Sequence, residues 1–251
     1  LENKTGLNAN SIEKDWWVTL VLNSLFNGTY GSHLVFKGGT SLSKCWRIID
    51  RFSEDIDLAI DREFLGFAGE LTKREIGKKL REASCSFIRN ELKADIERFI
   101  LNCGIDKEQF LLEVNITEES NVDPETLYLH YESVLDNSDY VFNTVKIEVG
   151  SRSLMEPSEE VLVKSIIGEL LPNADFSDKE YKIKAVLPQR TMLEKAFLLH
   201  EMLQSPTSGK EINRMSRHLY DLEKLMDNSY CKNILNDSNL YNDIIKHREQ
   251  F

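Results

Sequence analysis

"FKGGTSLSKCW", residues 36–46, and "RFSEDIDLAI", residues 51–60, decide how this chain is read. The first is apolar and strand-like up to a glycine pair, then changes period, placing Leu42, Cys45, Trp46 and Ile49 on one helical face. It predicts a strand, a tight turn at Gly38 and Gly39, and a helix over 40–50 that Thr40 or Ser41 can cap. The second stretch alternates Asp55, Asp57 and Ala59 against Ile56, Leu58 and Ile60, the period of a half-buried strand. One face of that strand is therefore acidic where it begins.

Each half suggests a chemistry. A glycine pair ahead of a helix lets backbone N–H groups point into one space, where phosphate is favoured, and the hydroxyls of Thr40 and Ser41 add donors. Asp55 and Asp57, two apart on a strand, project to the same side, within reach of shared divalent cations. Taken singly, the first is an ordinary turn and the second an acidic strand end in water. Together they are the halves of a site for a metal-bound nucleoside triphosphate, in which the metal bridges substrate and protein oxygens. Two-metal phosphoryl transfer sets its cations roughly 3.5–4 Å apart and calls for a further carboxylate from a neighbouring strand. Glu148, in "VKIEVG", is the candidate.

Outward from this centre, "SIEKDWWVTLVLNSLF" (11–26) reads as an amphipathic helix behind a Ser11 N-cap. Residues 70–101 suggest one or two charged helices. "QFLLEVNI", "TLYLHYES", "NTVKIEVG" and "YKIKAVLP" read as strands, which with the two central ones makes six. After Pro188 the pattern is helical only: "TMLEKAFLLHEMLQ", a turn around "SPTSGK" at 205–210, "INRMSRHLYDLEKLM" and the tail "LYNDIIKHREQF". Strands mixed with helices and then a helical end predict an α/β or α+β core, residues 1–188, followed by a C-terminal helical subdomain, residues 189–251. In the first of these helices, Met192, Phe197, Leu199 and Leu203 leave Lys195 near a polar side, where its ammonium can meet phosphate as a point charge. In the next, Arg214, Arg217, Asp221 and Lys224 form a polar stripe opposite Met215, Leu219, Leu222 and Met226. Its bland alternative is an Arg–Asp pair on a solvated face.

Composition narrows the classes. Of 251 residues, 41% are hydrophobic and 29% charged, as in ordinary globular proteins. A formal charge of -11 argues against broad non-specific nucleic-acid binding, while a local basic face stays open. "WWVTLVL" is far too short to span a membrane, and "LENKTGLNAN" lacks the basic-then-apolar pattern of a signal segment. Four scattered cysteines without a CxxC pair argue against zinc or a disulfide framework and fit a reducing cytoplasm. Trp16, Trp17 and Trp46 read as core residues, and Lys78, Lys79 and Arg81 as a solvated cluster. His130 and His218 have no partner at ligand spacing and are given no chemistry.

"GGTSL" followed by "RFSEDIDL" resembles the signature of the DNA polymerase β-type nucleotidyltransferase superfamily. The wording from Arg51 and Ser53 to Leu58 resembles its AbiEii/AbiGii toxin branch, which includes the MenT-like toxins of type IV toxin–antitoxin and abortive-infection systems. "IEKDWWVTLVL", "EKAFLLHEM" and "NRMSRHLYDLEKL" resemble that family's leading helix, lysine motif and last conserved helix, so the likeness touches most of the chain. The resemblance implies an α+β fold, a mixed nucleotidyltransferase sheet flanked by helices. It implies that Gly38, Gly39, Thr40, Ser41 and Ser53 contact nucleotide phosphates, and that Asp55 and Asp57 hold Mg2+. It implies that Glu148 either joins the metal or takes the acceptor proton, that Lys195 and Asp221 are catalytic with Asp55, Asp57 and Glu148, and that Lys195, Arg214 and Arg217 hold phosphate or acceptor. The implied substrate is an NTP, the implied acceptor the 3′ end of tRNA, and the implied partner an antitoxin protein. Transfer to a protein acceptor, and a non-catalytic nucleotide-binding module, are the rival expectations.

Overall fold

The computed structural model describes residues 1–115, 125–135, 142–204, 209–232, 234 and 237–249, without the side chains of 209–214. A short helix, α1 (Glu2–Thr5), precedes α2 (Ala9–Asn27). The cap of α2 is Asn8, whose side chain accepts a hydrogen bond from the Ser11 amide at 2.8 Å. Ser11, the expected cap, lies inside the first turn, because Ala9 and Asn10 already adopt the helix and Asn8 supplies the acceptor.

Strand β1 (Leu34–Lys37) runs directly into α3 (Gly38–Lys44), and β2 (Ile56–Ile60) returns antiparallel to β1, with Lys37 opposite Asp57. The helix expected over 40–50 ends at Lys44. Beyond it Arg47 takes a left-handed backbone at φ 51°, which stops the α pattern, and Ile48 and Ile49 turn inward from an irregular segment. The charged region around 75–102 is one helical run: α4 (Arg81–Phe87) and α5 (Lys93–Asn102), with wider π turns at Glu75–Leu80 and Ile88–Leu92.

Among the described residues the sheet has seven strands in the order β3-β4-β5-β2-β1-β7-β6. Its remaining members are β3 (Phe110–Asn115), β4 (Glu125–Tyr131), β5 (Thr144–Gly150), β6 (Ser158–Val163) and β7 (Tyr181–Val186). It is mixed, since β2 pairs parallel with β5 and β1 parallel with β7 while the other pairs are antiparallel. Strand β6 was not among the six expected. It begins Ser158, Glu159, Glu160 and sits at the sheet edge, where a single neighbour leaves charged residues in water and conceals the alternation.

One face of the sheet presents Leu34, Phe36, Ile56, Leu58, Ile60, Ile147 and Val149 to Trp17, Val21, Leu22 and Leu25 of α2 and to Ile88, Leu92, Ile96 and Ile100. Burying these side chains contributes roughly 1.5–3 kcal/mol each. Trp17 is buried here against Tyr131, while Trp16 and Trp46 pack partly buried at the core's edge. Alternation then forces Lys37, Asp57 and Glu148 onto the other face.

The short α6 (Ile166–Leu170) precedes β7, and α7 (Pro188–Gln204), α8 (Gly209–Asp227) and α9 (Ser238–Arg248) complete the chain. Most of the turn expected at 205–210 lies outside the described residues. A second apolar cluster joins these last helices to the centre: Leu193, Leu225 and Ile244 pack with Leu42, Ile48 and Ile49. Helices α7 and α8 are thereby held beside the acidic face of β2. No helix among the described residues is long and apolar enough to cross a membrane.

Candidate active site

The carboxylates meet because of strand register. Asp57 lies opposite Lys37 on β1 and opposite Glu148 on β5, and Asp55 precedes Asp57 by one full period. With Gly38, Gly39, Arg51, Ser53, Lys146, Glu194, Lys195, Arg217 and His218 they line a cleft of about 360 Å³ between the sheet and α7 and α8. The glycines are there for space. Gly38 has φ 80°, and a Cβ on it would overlap Oδ2 of Asp57. A Cβ on Gly39 would lie 2.6 Å from Nη2 of Arg51 and 3.2 Å from Oγ of Ser53.

The carboxylates are short of positive charge. Burial pushes Asp57 up to about 7, with Glu148 and Asp55 adding to the rise and Lys37 offsetting part of it. Asp55 is raised for the same first reason, with Glu54 and Glu148 adding against Lys146 and Lys14. Glu148 is bound to Lys146, Oε1 to Nζ, at 2.7 Å.

Behind the cleft stands an acid with the opposite surroundings. Arg51 donates from Nε and Nη2 to the two oxygens of Asp221, both at 2.7 Å, and Lys195 Nζ meets Oδ2 at 2.9 Å. The Asp221 side chain is fully buried. Burial raises its carboxyl, yet the Arg51 hydrogen bonds and the Lys195 charge outweigh that and hold it below the usual range. This fork ties α8 to the segment before β2.

Two ion pairs on α2 brace the neighbouring chain, one to that segment and one to α3. Lys14 meets Glu54 at 2.6 Å, and Asp15 holds Lys44 at 2.5 Å and accepts from the Ile166 amide at 2.8 Å.

Several sequence expectations change here. Thr40 and Ser41 do not line the cleft: Thr40 Oγ1 donates to the Asp55 carbonyl at 2.5 Å and lies 2.9 Å from Ser53 Oγ, and Ser41 Oγ donates to the Gly38 carbonyl at 2.9 Å. Both are buried inside the first turn of α3 because that helix begins at Gly38 rather than after it. Lys195 is buried rather than on a polar side, because Asp221 draws it inward, whereas Leu203 is 74% exposed. On α8 the expected division into faces holds only in part, with Asp221 and Leu225 buried, Leu219 and Met226 exposed, and Met215, Leu222 and Lys224 half-buried. The fork and the apolar cluster around Leu225 decide that orientation over simple hydrophobicity. Arg217 is exposed and lines the cleft, while the side chain of Arg214 lies outside the described residues.

Arg51, Lys146, Lys37, Glu194 and His218 reach the cleft without having been assigned to it. Lys146 was legible as the same-face neighbour of Glu148, and His218 as the residue one turn before Asp221. His218 Nδ1 lies 3.4 Å from Lys195 Nζ.

The residues fit a hard cation. The donors at the cleft floor are carboxylate oxygens, and burial disfavours their ionisation in the absence of added positive charge. Among the described residues no group of three or more His, Cys, Asp or Glu side chains is placed to hold a metal ion. Mg2+ requires none, since it takes one or two carboxylates and completes its shell with waters and phosphate oxygens.

A mixed sheet flanked by helices, with a glycine turn and paired aspartates on one cleft, defines the class: this is a nucleotidyltransferase. Residues 20–250, nearly the whole chain, match the family described as nucleotidyl transferase AbiEii toxin, type IV TA system, and the chain belongs to that family. No curated protein matches it.

Proposed function

We propose that this chain is the toxin of a type IV pair and moves a nucleoside monophosphate from an NTP to the 3′ end of a cytoplasmic tRNA, releasing pyrophosphate and blocking translation until an antitoxin protein restrains it. The observation that carries the reading is the convergence of Asp55, Asp57, Glu148, Gly38, Gly39, Ser53, Lys195 and Arg217 on one cleft. Asp55 and Asp57 hold Mg2+, with Glu148 as a further ligand or as the base that takes the acceptor proton. When bound, Mg2+ neutralises charge that develops on the transferred phosphoryl group. The Gly38–Gly39 backbone and Ser53 cradle phosphate oxygens, which approach closely because neither glycine has a Cβ. Lys195, set against Asp221, offers a fixed ammonium at the opposite wall, and the exposed Arg217 extends positive charge toward solvent, where an RNA end enters. These few cations meet the acceptor locally despite the acidity of the whole chain. The division of labour falls at Pro188, with residues 1–188 supplying metal and phosphate contacts and residues 189–251 the cationic wall.

Incubation with each labelled NTP, Mg2+ and total tRNA tests this. Label in tRNA, lost in Asp55→Asn, is expected. Label in a protein band instead would move the acceptor to protein, and growth arrest that survives Asp55→Asn would make the chain a non-catalytic module.

A further inference from the structure

Parallel pairing of β2 with β5 sets Asp57 opposite Glu148 and Ile56 opposite Ile147. One period earlier on each strand, on the same face, come Asp55 and Lys146. The cleft floor thus has two successive rungs of opposite character, acid beside acid and acid beside base. Lys146 Nζ lies 2.7 Å from Glu148 Oε1, and the two side chains are 27% and 28% exposed, so the pair sits at the water's edge inside the cleft. The titratable groups around this ammonium are Glu148 on its own strand, Asp55 before β2 and Tyr128, its cross-strand neighbour on β4. All present oxygen. Of the other cations of the cleft, Arg51 and Lys195 are committed to Asp221, Lys37 stands beside Asp57, and Arg217 is exposed on α8.

We infer that Lys146 is an internal counter-cation of the carboxylate floor: it holds Glu148 in the metal-free protein and gives it up when a divalent cation enters. Carboxylates crowded at this spacing repel one another, and an ammonium on one of them relieves part of the conflict. The same ammonium repels an arriving metal and occupies one of its oxygens. Loading therefore requires the Lys146–Glu148 contact to open, after which Lys146 is left facing the phosphates that arrive with the metal. Lys146 acts through Glu148 and is a positioning residue. The inference rests on the reading of Asp55, Asp57 and Glu148 as metal ligands.

Mn2+ binding to the full chain without nucleotide, followed by the EPR signal of the free ion, tests it. Lys146→Met is expected to bind Mn2+ about tenfold more tightly than the wild type, the size of effect one nearby positive charge produces on a divalent cation in a partly hydrated site. Misfolding would not raise affinity. Lys146→Arg, which keeps the charge, should stay within about twofold of the wild type, and in a Glu148→Gln background Lys146→Met should have a smaller effect than in the wild type, because only the direct repulsion of the metal is then left to remove. Unchanged or weaker Mn2+ binding by Lys146→Met, alongside weakened binding by Asp57→Asn, would overturn the inference and leave the metal reading standing. Wild-type binding by Asp57→Asn would overturn both.

Discussion

Asp57 lines the cleft from the central strand of the sheet, and Asp221 lies across from it on α8, behind Arg51 and Lys195. Burial acts on both carboxyls in the same direction, yet Asp57 is pushed up to about 7 and Asp221 is held low. The difference is the company each keeps. Asp221 receives two hydrogen bonds from a guanidinium and an ammonium at 2.9 Å. Asp57 has acids on two sides and a single lysine beside it. A saturated carboxylate is part of the framework, while a carboxylate short of cations is disposed to receive one.

Substitutions at the two positions should separate these roles. Asp57→Asn is expected to lower nucleotidyl transfer by roughly a thousandfold or more, a loss typical of removing a principal charge-stabilising group. The same change should leave the metal-free protein as stable as the wild type or more so, because it removes a buried charge that burial and the neighbouring acids disfavour more than Lys37 supports. Asp221→Asn reverses the pattern, with an expected stability loss of about 3 kcal/mol in urea unfolding, since it strands the buried Lys195 and the half-buried Arg51. Equal destabilisation by the two changes would erase the distinction.

Gly38→Ala comes next in size. A Cβ there meets the Asp57 carboxylate at a backbone φ of 80°, so a loss of about 1–2 kcal/mol is expected together with impaired transfer. The smallest effect is in pH dependence without metal. Asp221, with its folded pKa depressed, contributes stability that is present above its unfolded value near 3.8 and is lost as pH falls through the lower folded value. Asp57, with its folded pKa raised, binds a proton more readily when folded, so its contribution declines as pH rises from about 4 to about 7. Stability profiles of Asp221→Asn and Asp57→Asn should flatten below about pH 4 and between about pH 4 and 7 respectively. Flattening in the wrong window would reverse the assignment.

The sequence made the floor of the site legible and its walls much less so. Asp55, Asp57 and Glu148 stand on strands, where a period of two dictates the face, and Gly38 and Gly39 declare a turn by their chemistry. The α+β class and six of the seven strands followed from the same periodicity. The helical walls failed that logic. In α7 and α8 the buried positions include Lys195 and Asp221 because they satisfy each other and Arg51, a residue 170 positions away in sequence from Asp221. Hydrophobic periodicity has no means of registering a buried ion pair, and it misplaced Asp221, Leu219 and Met226 on α8. Thr40 and Ser41 were misplaced for a local reason, a helix that starts two residues earlier than their capping chemistry suggested.

The central claim is that the carboxylate floor binds nucleotide through a divalent cation. Calorimetric titration of the wild type and of Asp55→Asn with a non-hydrolysable NTP, each with Mg2+ and with EDTA, tests it directly. The account predicts binding heat for the wild type with Mg2+ alone, and little for either protein in EDTA or for Asp55→Asn under any condition. Equal affinity of the wild type with and without the metal would contradict it.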